Sequence, residues 1–279
     1  MAQFFKKQKG RSAGPCQYTK DDMKRVDWCM TKDIYVAVIP RWDGGTDEWK
    51  VEITINGRPN LDPKIYSGHD AQMKMYEYYH DKIIREGVNF GDTKALFNVG
   101  FYIENPLDHE IENKERNWKK DYAEAEWQWY FSGDRNIERL GQIYGKVPEI
   151  WKRMADSDGN VNSNYGWQWR RNDQIDYVID LLRHAPDTRQ AAISIYDCKE
   201  HNTFALDTPC TYAVQFTILN NKLNMSVVMR SNDLWFGFCN DQYQFSKLQH
   251  YILNRLPIDI EIGTYFHFAH NLHLYNDKI

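Results

Sequence analysis

The sequence predicts an α+β domain, one large mixed sheet packed by helices, with a β-hairpin extension at its N-terminus. Three observations predict it. Apolar residues recur at helical spacing in some stretches, while others alternate or run as strands. The two kinds are mixed without strict alternation, which suits α+β better than a doubly wound sheet. The 279 residues are 42% hydrophobic and 15% aromatic, enough to bury a real core.

The elements follow in order. Residues 1–20 carry Lys6, Lys7, Lys9 and Arg11 among Gln, Gly and Pro, and read as a solvated basic tail. DIYVAVIPRW and EWKVEITING flank DGGTDE, so Gly44 and Gly45 close a hairpin. LDPKIYSG is a loop. Met73, Tyr76, Tyr79 and Ile83 mark a helix that Gly87 stops. ALFNVGFYIENP reads as a strand. Trp118, Tyr122, Ala125, Trp129 and Tyr130 form the buried stripe of a second helix. EIWKRMADSDGNVNSNYGWQW is aromatic and turn-rich, and reads as surface structure around a site. DQIDYVIDLLRHAPDTR is a helix ended by Pro186. QAAISIYD, YAVQFTIL and LNMSVVMR are strands, the last two joined across Asn220, Asn221 and Lys222. Phe245, Leu248, Ile252 and Leu256 mark a long helix, and IGTYFHFAHNLHLY is a closing strand. The expected division is an extension over residues 1–71 and a main domain over residues 72–279.

The totals exclude some functions. A net charge of −4 argues against a protein that coats nucleic acid. Five cysteines, an odd number without a CxxC pair, read as reduced thiols of a cytoplasmic protein. No stretch approaches the roughly 20 apolar residues of a membrane span. MAQFFKKQKGRSAGP lacks an apolar core of signal-peptide length.

A few residues carry chemistry. Glu126 falls on the apolar stripe of its helix, four residues after Tyr122 and three before Trp129. Buried there, its carboxyl would have a raised pKa suited to acid–base work; a slightly rotated helix would leave it solvated. Cys210 follows a proline at a strand start beneath a loop, a place that presents nucleophiles, although most free cysteines are inert core thiols. Cys16, Cys29, Cys198 and Cys239 read as ordinary thiols. His267, His270 and His273, spaced by three on a strand, alternate faces, so no metal site is expected. Arg230 ends a strand, where an arginine is usually a surface ion pair.

Taken together, EAEWQWYFSGDRN, EIWKRMADSDGNVNSNYGWQWR, PDTR, DTPCTYAVQF, RSNDLWFGFCND and HLY resemble the thymidylate synthase family, in the family's order. The resemblance covers about residues 72–279. NSNYGW and RSND…FGF.ND look most like the deoxycytidylate hydroxymethylases of phages. The resemblance implies that Cys210 is the nucleophile at C6 of a pyrimidine and that Glu126 orders water and moves protons. It implies phosphate contacts from Arg230 and Ser231, and from Arg189 lent across a homodimer interface. It implies that His273 and Tyr275 meet the sugar hydroxyl. It implies that Trp151 lies beside the folate and that Asp233 is a catalytic acid at the folate side. Asp241 falls where thymidylate synthases place an Asn that reads uracil, with Asn240 one position away as the other candidate reader. A carboxylate accepts from the 4-amino group of cytosine, whereas an amide suits uracil.

The implied reaction is transfer of a one-carbon unit from 5,10-methylenetetrahydrofolate to C5 of a pyrimidine nucleoside monophosphate. The expected substrate is dCMP and the expected product its 5-hydroxymethyl derivative. The alternatives are a dUMP methylase or hydroxymethylase, and a nucleotide-binding regulator without turnover. The resemblance also departs in places. Gln190 follows PDTR where the family usually has a second arginine, and Thr211 follows Cys210 where many members have His. Relatives usually continue past Tyr275 and fold a tail over the folate, whereas the sequence given ends at Ile279. No membrane or nucleic-acid partner is expected, and the expected location is the cytoplasm, that of the host for a phage protein.

Overall fold

The computed structural model describes residues 34–40, 49–55, 68–106, 116–201 and 207–279. The chain divides into two compact units, Met1–Lys64 and Ile65–Ile279. In the first, β1 (Ile34–Pro40) pairs antiparallel with β2 (Trp49–Ile55), the expected hairpin. The basic tail, the turn at Gly44 and Gly45, Cys16, Cys29 and most of the LDPKIYSG loop lie outside the described residues.

The second unit is built on a seven-stranded mixed sheet in the order β3-β4-β9-β7-β6-β5, with β8 paired to β9. Its strands are β3 (Val88–Phe90), β4 (Thr93–Ile103), β5 (Ala192–Ser194), β6 (Thr211–Leu219), β7 (Lys222–Met229), β8 (Asn232–Asp233) and β9 (Glu261–Tyr275). β7 and β9 run parallel, while β4 and β9 run antiparallel. Asn220 and Asn221 join β6 to β7 with φ of 53° and 59°, the left-handed pair that a tight hairpin requires.

Strand alternation gives the sheet two faces. Across it, Phe101, His267, Val227, Val214 and Ile193 lie in register and are all buried. One step along, Tyr102, Phe266, Ser226 and Gln215 form the half-exposed row of the other face. The buried face is covered by α1 (Gly68–Glu86), α6 (Gln174–His184) and α8 (Phe238–Arg255), and α2 (Lys120–Ser132) stacks over α8. Gly87 ends α1, its N–H donating to Ile83 O over 2.9 Å.

Two expectations are corrected. The stretch after Pro148 is not surface structure throughout. It forms α4 (Glu149–Met154) and then α5 (Tyr165–Arg170), and Tyr165, Gly166, Gln168 and Trp169 of α5 are buried. α5 crosses α2 so closely that a Cβ at Gly166 would lie 1.7 Å from Tyr130 O. Trp118 lies before α2 rather than on its stripe. The elements that had no expectation include β3 and α3 (Ile137–Tyr144). The interior Gly141 hides α3 in the sequence; a Cβ there would lie 2.8 Å from Val147 Cγ2.

Candidate active site

The pairing of β6 with β7 sets the first two groups side by side. Arg230, after β7, donates its N–H to Cys210 O just before β6, over 2.7 Å. The guanidinium turns back over the same loop. Nε donates to Pro209 O at 3.0 Å and Nη2 to Thr208 O at 2.8 Å, with Nη2 3.8 Å from Cys210 Sγ. The Cys210 side chain is half-buried. Burial pushes its thiol up to about 11; the Arg230 charge opposes this, and Asp241, Asp207 and Asp233 add to it. These three carboxyls therefore lie within electrostatic reach of the sulfur.

Glu126 resolves to the buried reading. It is 4% exposed, and burial pushes its carboxyl up to about 7, opposed by two hydrogen bonds. The Tyr122 hydroxyl donates to Oε1 at 2.8 Å, and Gln244 Nε2 donates to Oε2 at 3.1 Å. The Trp151 indole N–H donates to the Tyr122 oxygen at 2.8 Å. An indole, a phenol and a carboxyl thus form one chain, carried by α4 and α2.

Asp241 sits in the first turn of α8. Burial raises its carboxyl well above the usual range, the nearby Glu126 charge raises it further, and a bond from Asn232 opposes both. Asn232 Nδ2 donates to Oδ2 at 2.7 Å. Asn240, one position earlier, turns elsewhere. It accepts from Trp118 Nε1 at 2.8 Å and donates to Phe236 O at 3.2 Å. Helix geometry therefore separates the two candidate readers, and only Asp241 faces the cluster.

β8 brings Asp233 beside β9, in register with His273. Asp233 Oδ1 accepts from Trp235 N–H at 2.8 Å and Phe236 N–H at 3.2 Å. Burial holds the Asp233 carboxyl up and the His273 imidazole down. The rings of His273 and Tyr275 lie 5.4 Å apart, and Tyr275 feels the charges of Asp233 and Cys210. Ser231, half-buried, follows Arg230 directly. Arg189 lies apart, exposed between α6 and β5, with no hydrogen bond or ion pair among the described residues. His267 and His270 do not converge. His267 is buried, whereas His270 meets Asn98 Oδ1 at 2.9 Å on the exposed face.

Sequence reasoning missed several members. Asp207 is buried, with a carboxyl raised by burial, and accepts from Ser163 through both its N–H and hydroxyl. Its position three residues before Cys210 was the available signal. Gln244 stands one helical turn after Asp241, a spacing that could have linked it to Glu126. Asn232, His267 and Tyr265 gave no local signal.

A family model described as thymidylate synthase matches residues 74–279. The deoxycytidylate 5-hydroxymethyltransferase of Enterobacteria phage T4 is 37% identical over 151 residues, 51% of this chain and 58% of that protein. The thymidylate synthase of Corynebacterium aurimucosum is 32% identical over 163 residues, 56% of this chain and 59% of that protein. The match thus spans just under three fifths of the length of each of these relatives. Among solved structures, thermostable thymidylate synthase A from Bacillus subtilis aligns with a TM-score of 0.62 at 23% identity, covering 73% of this chain and 79% of that one, a likeness of fold. With the family model matched over most of its length, the chain belongs to the thymidylate synthase family.

Proposed function

We propose that this chain hydroxymethylates C5 of dCMP, using methylenetetrahydrofolate as the one-carbon donor. The observation that carries the reading is Asp241, a half-buried carboxyl within electrostatic reach of the Cys210 sulfur, with Asn240 turned away. A carboxyl there accepts from the exocyclic amine of cytosine and, when protonated, donates to N3. The relatives split between the two chemistries, so this local group decides between substrates.

In the proposed mechanism, Arg230 and Ser231 hold the phosphate by charge-assisted hydrogen bonds, and His273 and Tyr275 hold the sugar. Cys210 loses its proton, helped by the Arg230 charge, and its sulfur adds to C6 of the ring. The negative charge that develops on the ring is met by the proton of Asp241 at N3. C5 becomes nucleophilic and takes up the one-carbon unit, which the folate would supply at the oxidation level of formaldehyde; tetrahydrofolate would leave as its free amine as the C5 proton is lost. Glu126, half protonated near neutral pH, can accept the C5 proton through water and return one. Water then adds to the exocyclic methylene, the Cys210–C6 bond breaks, and hydroxymethyl-dCMP leaves.

The residues present fit a folate. Trp151 offers a half-buried indole linked to Glu126, and Asp233 supplies an acceptor for a pterin edge. The proposed catalytic domain is residues 72–279, with residues 1–71 as an appended segment. A homodimer is part of the proposal, with exposed Arg189 lent to the partner's phosphate and the half-exposed sheet face of Tyr102 and Phe266 as the contact.

Incubation with dCMP, formaldehyde and tetrahydrofolate tests the reading by product mass. The expected gain is one CH₂O unit on dCMP. Preferential turnover of dUMP, a gain of CH₂, or binding without turnover would each overturn it.

A further inference from the structure

We infer that Tyr265, His267 and Asn232 are positioning residues that make Asp241 discriminate cytosine from uracil, by fixing which of its oxygens is an acceptor. The inference rests on the proposed role of Asp241 and adds what that role lacks. A neutral carboxyl has one donor and one acceptor, and its proton can sit on either oxygen. Cytosine presents an acceptor at N3 and a donor at the 4-amino group; uracil presents the reverse. A protonated Asp241 free to move its proton would therefore match both bases. Something must set its polarity.

A buried chain of hydrogen bonds does so. The Tyr265 hydroxyl lies 2.7 Å from His267 Nδ1, His267 Nε2 lies 3.0 Å from Asn232 Oδ1, and Asn232 Nδ2 lies 2.7 Å from Asp241 Oδ2. Tyr265 and His267 are fully buried and Asn232 is 1% exposed, so water does not substitute for any partner. The direction of the chain follows from its far end. The Tyr265 hydroxyl has no second partner among the described residues, so its proton must go to His267 Nδ1. Burial holds the His267 imidazole down to about 3, so the ring is neutral and carries a single N–H. With Nδ1 accepting, that N–H is on Nε2 and donates to the amide oxygen of Asn232. The amide then presents its NH₂ to Asp241.

The carbonyl oxygen of a neutral carboxyl is a stronger acceptor than its hydroxyl oxygen, so the N–H from Asn232 favours Oδ2 as the carbonyl and disfavours the proton there. The proton is biased towards Oδ1, which has no bonded partner among the described residues and is free for the ring. Cytosine N3 accepts it. Uracil, held in the same pose by Cys210 and Arg230, would set N3–H against a donor. His267 is thus used as a fixed tautomer, not as a base or a ligand.

The test compares the wild-type chain with Tyr265→Phe and Asn232→Ala. Calorimetric affinities for dCMP and dUMP give the preference, and ¹⁵N NMR of the His267 ring gives its tautomer. In the wild type, dCMP binds better than dUMP and the ring proton is on Nε2. Each variant is expected to lose about tenfold of the preference, mainly through tighter dUMP binding. In Tyr265→Phe the ring is expected to populate the Nδ1-protonated form. Circular dichroism checks folding, and if one variant fails to fold the other decides. A preference unchanged within about twofold in a folded variant, or a wild-type ring protonated on Nδ1, overturns the relay while leaving the role of Asp241 intact. A wild-type preference for dUMP overturns both.

Discussion

Cys210 and Arg230 show how one residue's chemistry depends on a neighbour that the sequence places 20 positions away. Burial keeps the thiol protonated, and the guanidinium 3.8 Å from the sulfur is the cation that favours the thiolate. Alkylation of Cys210 by iodoacetamide should therefore accelerate with pH up to about 11. Arg230→Gln should slow it by about threefold to tenfold at pH 8, because the opposing carboxyls then act unbalanced. An unchanged rate, read by intact mass, would remove Arg230 from the activation of the thiol. The places of Cys210 and Glu126 were legible in the sequence, one just before a strand start and the other on a buried helical stripe. Asn232 and His267 were not. Their contact joins residues 35 positions apart, and each alone reads as an ordinary core polar residue.

The long helices and strands were readable because their apolar spacing persists over several turns or alternations, as in α8 and β9. Short elements were not, because they depend on close approach instead of periodicity. α5 is the clearest instance. Its six residues carry Gly166 at the crossing with α2, where any side chain would meet the Tyr130 carbonyl. Gly145, by contrast, ends α3 with φ of 86° and open space around it. Gly166→Ala should thus cost about 3 kcal/mol or more by overpacking, against about 1 kcal/mol of backbone strain for Gly145→Ala. Urea unfolding of both variants checks the order; equal costs would mean that the crossing relaxes freely. Asp233 and Trp151, flanking the site on β8 and α4, depend on the same local packing.

Across the whole molecule, two buried groups pull stability in opposite directions with pH. His267 has a folded value of about 3 against 6.5, so the unfolded chain binds the extra proton, and stability falls as pH drops from 6.5 towards 3. Glu126 has a folded value of about 7 against 4.5, so its contribution is complete below 4.5 and is lost as pH rises through 7. The Glu126 contribution amounts to about 3 kcal/mol at most. Glu126→Gln should therefore flatten the decline of Tm between pH 5 and 8, as measured by scanning calorimetry. A decline as steep as in the wild type would place the responsible group elsewhere. The hairpin and the mixed sheet were both legible, but the strand order was not, since nothing local in β9 announces that it pairs with β4 on one side and β7 on the other.

That central place for the last strand has a consequence for synthesis. Until residues 261–275 emerge from the ribosome, the sheet exists only as two fragments, β3-β4 and β7-β6-β5, each with a raw edge. His273 and Tyr275, which the proposed function assigns to the sugar, arrive on that same strand, so under that proposal the nascent polypeptide cannot assemble the sugar contacts before it has joined its halves. Closure of the sheet and, under that proposal, assembly of the sugar contacts both wait for β9.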